Sequence, residues 1–116
     1  MAEATHVDSE ITGGVLVATI KSANVSQYES DVIGEQLQRA APGAGWKIAI
    51  DLAQVTLLAS AGLGMLVALG NEAKTNKGRQ MIANASPEIL QVLKLTRLDK
   101  VVPVAKDLDA AMKKLK

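Results

Sequence analysis

The chain contains no cysteine, which removes disulfides, thiolate metal sites and redox motifs together. Its single histidine, His6, sits near the N-terminus, where chains are usually poorly ordered. Residues 1–6 are therefore expected to be flexible, and a Ser-His-Asp triad or a histidine metal site would need an improbable partner. Aromatics are nearly missing, with one Trp, one Tyr and no Phe. The core must be aliphatic, and the stacking platforms that single-stranded nucleic acid requires are absent. An excess of one charge is lacking too: thirteen basic against twelve acidic residues leave +1, with no block of like charge before the Lys-rich last turn. Such a balance shows no basic face for nucleic acid. The longest apolar stretch, Val55 to Leu69, is broken by Thr56, Ser60 and small residues, short of the ~20 residues a membrane span needs. Met1 to Glu10 carries three acids and no apolar run, unlike a signal peptide. Asn24-Val25-Ser26 and Asn84-Ala85-Ser86 then match the glycosylation pattern by chance. The expectation is a soluble, cytoplasmic protein without cofactor, bound metal or membrane insertion.

What is present suits one compact domain spanning residues 1–116. A chain of 116 residues with 48% apolar content can bury roughly two-thirds of its unfolded surface without a staple. Val15 to Ile20 is a β-branched run preceded by Gly13-Gly14, which supplies the positive φ angles of a tight hairpin with a strand near Val7–Ile11. Ser26 and Glu29 form a capping-box pattern, followed by an irregular helical stripe of Tyr28, Val32, Leu37 and Ala40 that stops before Pro42. Trp46 to Leu52 alternates apolar and polar residues, as a strand does. A loop through Gln54 and Thr56 leads to a helix over Ser60–Thr75, closed at Gly78. Gln80–Ala83 reads as a short strand, and Ser86-Pro87-Glu88 starts a helix running to Leu95. Val101–Val104 reads as a last strand, confined to an edge or strand end by Pro103. Leu108, Ala111, Met112 and Leu115 repeat at i, i+3, i+4, i+7, marking an amphipathic helix. The order ββαβαβαβα predicts an α/β fold: a mixed, mostly parallel sheet of about five strands with about four helices, one sheet face better covered than the other.

The unusual segment is Asp51 to Gly64, where a strand ends, a loop follows and a helix begins at Ser60. Gly62 and Gly64 lie in the first turns of that helix, each at a cost of about 1 kcal/mol relative to Ala. Small residues there keep the entrance open to a partner's backbone, a reading in which Gly62→Ala would relieve a propensity cost. Ser60 stands where free N–H groups and the positive end of the helix dipole converge. It is either an N-cap, contributing about 1 kcal/mol, or a hydroxyl whose phosphate those same groups would stabilise. Asp51 reads as an acceptor for loop N–H groups. Gly62-Leu63-Gly64 lacks the third glycine of a dinucleotide loop, and Gly43 to Lys47 lacks P-loop spacing.

Asp51-Leu52 followed by Leu58-Ala59-Ser60-Ala61-Gly62-Leu63-Gly64 resembles the STAS-domain signature, a strand ending in Asp-Leu and an Asp-Ser-Ser-Gly-Leu-Gly helix entrance. Ser86 to Val104 and the last helix resemble the C-terminal half of the same family, so the resemblance covers nearly the whole chain. The bacterial anti-sigma factor antagonists of that family bind an anti-sigma factor that is also a serine kinase of the ATPase fold, and phosphorylation of the serine at the helix entrance ends the binding. The resemblance implies a non-enzymatic regulatory module, monomer or weak dimer, with Ser60 as phosphoacceptor. It further implies a partner surface of Asn24, Ser26, Ala59, Ser60, Ala61, Gly62, Leu63 and Met65. Ala59 and Asn24 stand where the family usually carries Asp, and Arg97 where it often has Gly. A constitutive assembly subunit, as STAS domains form in stressosome scaffolds and lipid-transport complexes, is the alternative. An enzyme or small-ligand domain is disfavoured by the lack of clustered His, Cys or paired carboxylates.

Overall fold

The computed structural model describes residues 6–115. Strand β1 (Val7–Thr12) turns back into β2 (Val15–Ile20). Gly13 and Gly14, at φ +59° and +79°, make the two-residue loop, and the register closes on Thr12 opposite Val15. Positive φ at both central residues matches the right-handed twist of the strands. Helix α1 (Gln27–Ala40) and a 3₁₀ turn (Ala41–Ala44) follow a short strand β3 (Asn24–Val25). The chain continues through β4 (Lys47–Asp51), β5 (Leu57–Leu58), α2 (Ser60–Thr75), β6 (Arg79–Ala83), α3 (Pro87–Leu95), β7 (Val104–Ala105) and α4 (Leu108–Leu115).

The main sheet has the order β1-β2-β4-β6-β7, with β1 antiparallel and the others parallel. Each new strand is therefore added on the same side as the last. Right-handed crossovers then place every connecting helix on one face, and the core shows this. Ile33 and Leu37 of α1, Leu66 and Leu69 of α2, and Ile89 and Leu93 of α3 pack on Leu16, Ile48, Ile50 and Ile82. Helix α4, which follows the last strand, folds onto the other face, where Ala111 and Leu115 meet Val15, Ala49, Met81 and Ala105. The expectation of unequal coverage is met in this form. Ile48, Ala49 and Ile50 are all buried, because β4 is a central parallel strand covered on both sides.

Two expectations are corrected. The inward stripe of α1 is Ser30, Ile33 and Leu37, whereas Tyr28 is 65% exposed. The helix begins at Gln27, which sets its phase, and the ring of Tyr28 packs edge-on against His6 at 5.6 Å. The last strand is Val104–Ala105 rather than Val101–Val104. A 3₁₀ turn at Leu98–Lys100 and a bend carry the chain to Pro103, whose carbonyl accepts from Ile82 N–H at 2.9 Å. The flexibility expected of residues 1–5 lies outside the described residues, but His6 is held, with Nδ1 2.6 Å from Ser22 Oγ.

The end of α2 departs from the simple glycine stop read in the sequence. Lys77, not Gly78, takes the left-handed conformation at φ +67°. Lys77 N–H bonds the Lys74 carbonyl at 3.0 Å and Gly78 N–H bonds that of Ala73 at 2.7 Å, the Schellman arrangement. Gly78 is needed for a different reason: a Cβ there would lie 2.1 Å from the Trp46 carbonyl oxygen, against which the β4 and β6 entries pack. Gly78→Ala is expected to cost more than about 2 kcal/mol by forced overpacking. Urea unfolding checks this, and an unchanged midpoint would mean that the two strand entries approach less closely.

Candidate functional site

Two crossover loops meet above the sheet at the C-terminal ends of its parallel strands. After β4, the Asp51 carboxylate accepts from Ala53 N–H at 2.9 Å and from Asn84 Nδ2 at 3.2 Å, the loop-tying role read from the sequence. The chain then rises to β5, which pairs in parallel with β3 through Asn24–Leu57 and Val25–Leu58. The Ala23 carbonyl accepts from Thr56 and Leu57 N–H at 2.8 and 3.0 Å, and Val25 accepts from Ala59 N–H at 3.0 Å. This small second sheet was not legible in the sequence, where both strands read as loop. Extending its register by one residue sets Ser26, the N-cap of α1, abreast of Ala59, the N-cap of α2. The starts of two helices are thereby clamped side by side.

Ser60 is the first residue of α2 and is exposed. The cap position belongs to Ala59, which has no capping side chain, so the N-cap reading of Ser60 is corrected. The cause is the bond from Ala59 N–H to Val25, which holds Ala59 in extended conformation and starts the helix one residue later. The first intrahelical bond runs from Leu63 N–H to the Ala59 carbonyl at 3.0 Å. The N–H groups of Ser60, Ala61 and Gly62 thus precede the helical ladder. A negative group on Ser60 would meet those donors and the positive end of the dipole.

The residues expected to form a partner surface are only partly brought together. Asn24, Ser26 and Ser60 are exposed at the mouth, with Ala59 half-buried between them. Ala61 and Met65 line an open groove between α1 and α2, facing Tyr28, Asp31 and Gly34. Gly62 departs from expectation: it is buried, and a Cβ there would come within 2.6 Å of Leu58 Cδ1 and 3.1 Å of the Val25 carbonyl. It lets α2 seat on the β3–β5 clamp and does not open the entrance. Leu63 is half-buried against the core. Gly64 is the open one, exposed with nothing within 4 Å of its Cβ position. Two residues at the mouth were missed, Leu57 and Tyr28, exposed by 59% and 65%. The signal for Leu57 was the pair Leu57-Leu58, which as a strand must turn one side chain in and the other out.

Electrostatics at the mouth centre on Glu29. Its carboxylate closes the capping box by accepting from Ser26 N–H at 3.0 Å and from the Ser26 hydroxyl. The hydroxyl bond, foremost, then the backbone N–H groups of Glu29 and Ser26 and the nearby His6, hold the Glu29 carboxyl below the usual carboxylate range. The Ser26 hydroxyl is accordingly engaged in the fold. Among the described residues there is no group of three or more His, Cys, Asp or Glu placed to hold a metal. Nor is any helix there long and apolar enough to cross a membrane.

Against this geometry, residues 6–111 match the STAS domain family. Solved structures share the fold. An anti-sigma factor antagonist from Mycobacterium paratuberculosis is 23% identical, with a TM-score of 0.82 over 94% of this chain and 92% of that one. A STAS-domain anti-sigma-factor antagonist protein from Planctomyces limnophilus is 23% identical, with a TM-score of 0.82 over 95% and 97%. The Bacillus cell fate determinant SpoIIAA in its phosphorylated form is 19% identical, with a TM-score of 0.72 over 95% and 99%.

Two outcomes follow from the packing and charge of this site. Gly62→Ala is expected to destabilise by about 1–2 kcal/mol, overpacking outweighing the gain in helix propensity, while Gly64→Ala stabilises by about 1 kcal/mol. Equilibrium unfolding of the pair reads the sign directly, and a stabilised Gly62→Ala would restore the open-entrance reading. For Glu29, the lowered folded pKa means a contribution present in full above the ordinary carboxylate pKa and lost as pH falls through the lowered value. The stability gap between wild type and Glu29→Gln should therefore be present at neutral pH and close as the pH falls below the ordinary carboxylate range. A gap independent of pH would show that the charge contributes nothing.

Proposed function

The chain belongs to the STAS family, and we propose on that premise that it works as an anti-sigma factor antagonist-like regulatory module. In this reading it binds an anti-sigma factor that is also a serine kinase of the ATPase fold, and phosphorylation of Ser60 ends the binding. The observation that carries the reading is Ser60 itself: an exposed hydroxyl on the first residue of α2, ahead of the helical ladder, at the point where the β3–β5 clamp joins two helix starts. The partner contacts are Asn24, Leu57, Ala59, Ser60 and Ala61 at the mouth, with Tyr28 and Met65 along the α1–α2 groove.

The chemistry of the switch follows from the surroundings of the hydroxyl. A phosphate adds ≈ −1.5 to −2 charges at neutral pH. Within the domain the N–H groups of Ser60, Ala61 and Gly62 favour it, and Ala59 and Asn24 place no carboxylate beside it. At an interface built on Leu57, Ala59 and Ala61, the same phosphate must be stripped of water, which costs far more than burying a hydroxyl. Modification therefore separates binding from folding. The second reading, a constitutive assembly subunit, draws on the same Ala59 and Asn24, where an acidic kinase-recognition pattern is missing.

The partner is to be captured from the native cell extract on immobilised protein and identified by mass spectrometry, and then titrated calorimetrically. Ser60→Asp should fold as well as wild type, since an acid in the first turn of a helix contributes about 0.3–1 kcal/mol. It should bind the kinase partner at least about tenfold more weakly, or about 1.4 kcal/mol. Ser60→Ala should bind normally and, with no cap bond to lose, change stability by no more than about 0.5 kcal/mol. Equal affinity of the two variants would leave the assembly-subunit reading in place of the switch.

A further inference from the structure

The near-neutral total charge hides a separation of charge between the two ends of the domain. Strands β4 and β6 are parallel and begin at the same end, where their register sets Lys47 directly beside Arg79. Helix α2 finishes there, with Lys74 in its last turn and Lys77 in the link to β6. Helix α4 finishes there too, with Lys113 and Lys114 in its last turn. Its first residue, Leu108, lies at the far end of the sheet with Asp8 and Thr19. All of these cations are exposed. The far end carries Glu29, Glu88 and Asp109 in the first turns of α1, α3 and α4, with Asp51 at the end of β4.

Helix dipoles account for part of this pattern, because cations are favoured at helix C-termini. They do not account for Lys47 and Arg79, which sit at strand starts as direct neighbours, where like charges repel. Nor does local pairing: the ion pairs among the described residues are Lys21–Asp8 and Arg39–Glu35, and of the cations at this end they include only Arg39, in the last turn of α1. Glu72, near the end of α2, is taken by the Gln38 amide at 2.8 Å. Lys47, Lys74, Lys77, Arg79, Lys113 and Lys114 are thus gathered at a cost, with no ion pair among the described residues.

We propose that this end is a docking face for an anionic lipid bilayer. Most of its cations are Lys, compact hydrated charges, where base recognition favours the bidentate fork of Arg. They are spread over two strand starts and two helix ends, so no single element presents them to a nucleic-acid groove. The nearby Trp46 is half-buried and offers no stacking platform. A planar anionic surface makes neither demand and attracts each nearby Lys or Arg. Ile11, 51% exposed and in contact range of the Gly43 position, adds an aliphatic group at the same end. The acidic end is repelled, so the bound domain stands with Ser60 facing away from the bilayer, open to a partner.

The test is co-sedimentation of the whole chain with vesicles of phosphatidylglycerol and phosphatidylcholine, against phosphatidylcholine alone, at low and high salt. Binding is expected to the anionic vesicles only and to fall as salt rises. Lys74→Ser with Lys77→Asn, and separately Lys113→Ser with Lys114→Ser, should each weaken it by about tenfold or more. Lys106→Ser, at the other end, should leave it unchanged. Thermal melts confirm that each variant folds, and the second pair stands in should the first not. The proposal is overturned by absent binding at low salt, by equal losses in the Lys106 variant, or by tighter binding to duplex DNA at the same ionic strength. Head-to-tail self-association in sedimentation velocity that replaces vesicle binding would likewise overturn it.

Discussion

Everything distinctive in this domain depends on the parallel alignment of β2, β4, β6 and β7. Because each is added beside the one before, and because right-handed crossovers admit only one side, α1, α2 and α3 share a face. The same alignment collects all helix starts at one end and all helix ends at the other. The central strand β4 meets the burial this requires with Ile48 and Ile50 on one side and Ala49 on the other. Charge follows from the arrangement, acids toward the helix starts and bases toward their ends, so one topological constraint yields both a candidate recognition end and a basic end.

The β3–β5 clamp converts this general architecture into a site. Without it, the loops leaving β2 and β4 would be two independent excursions. With it, three backbone acceptor bonds to Ala23 and Val25 hold the entries of α1 and α2 against each other. The clamp also moves the start of α2 to Ser60, leaving that residue with an exposed side chain and ungated N–H donors instead of the duties of a cap. Gly62 belongs to the clamp as much as to the helix, since a Cβ there would press on Leu58 Cδ1 and on the Val25 carbonyl. The sequence motif that looks like a ligand loop is therefore partly a packing motif, its two glycines one in the core and one in solvent.

Gln80 shows how closely α2 and the sheet are fitted. It is buried beneath the helix, its amide donating to the Leu66 carbonyl at 2.9 Å. Its Oε1 finds no partner among the described residues. The amide's hydrogen bond to Leu66 holds α2 at a definite height over β6. Gly70 lies opposite, 3.4 Å from its amide nitrogen to the Cβ position, leaving the space that the amide fills.

The sequence by itself determined the secondary elements with strong local causes. Gly13-Gly14 required a hairpin, Ser26 with Glu29 required a helix start, and Ser86-Pro87-Glu88 required another, with the Ser86 hydroxyl accepting from Ile89 N–H. The alternation of strands and helices determined the sheet class, and the Ser60 segment determined where to look for function. Elements of two residues were not legible, as for β3 and β5, or were misplaced, as for β7, because they are too short to show a period and exist only through the strand each one pairs with. The phase of α1 was misread since Tyr28, Val32 and Ile33 all carry apolar surface, and only contact with the sheet selects among them. The charge separation was invisible for the same reason: Lys47 and Arg79 are thirty-two positions apart in the chain, by subtraction of their numbers, and a parallel register alone makes them neighbours. Local chemistry sets what each segment can become, while the tertiary structure decides which side chains face a partner, because exposure is a property of what else has packed there.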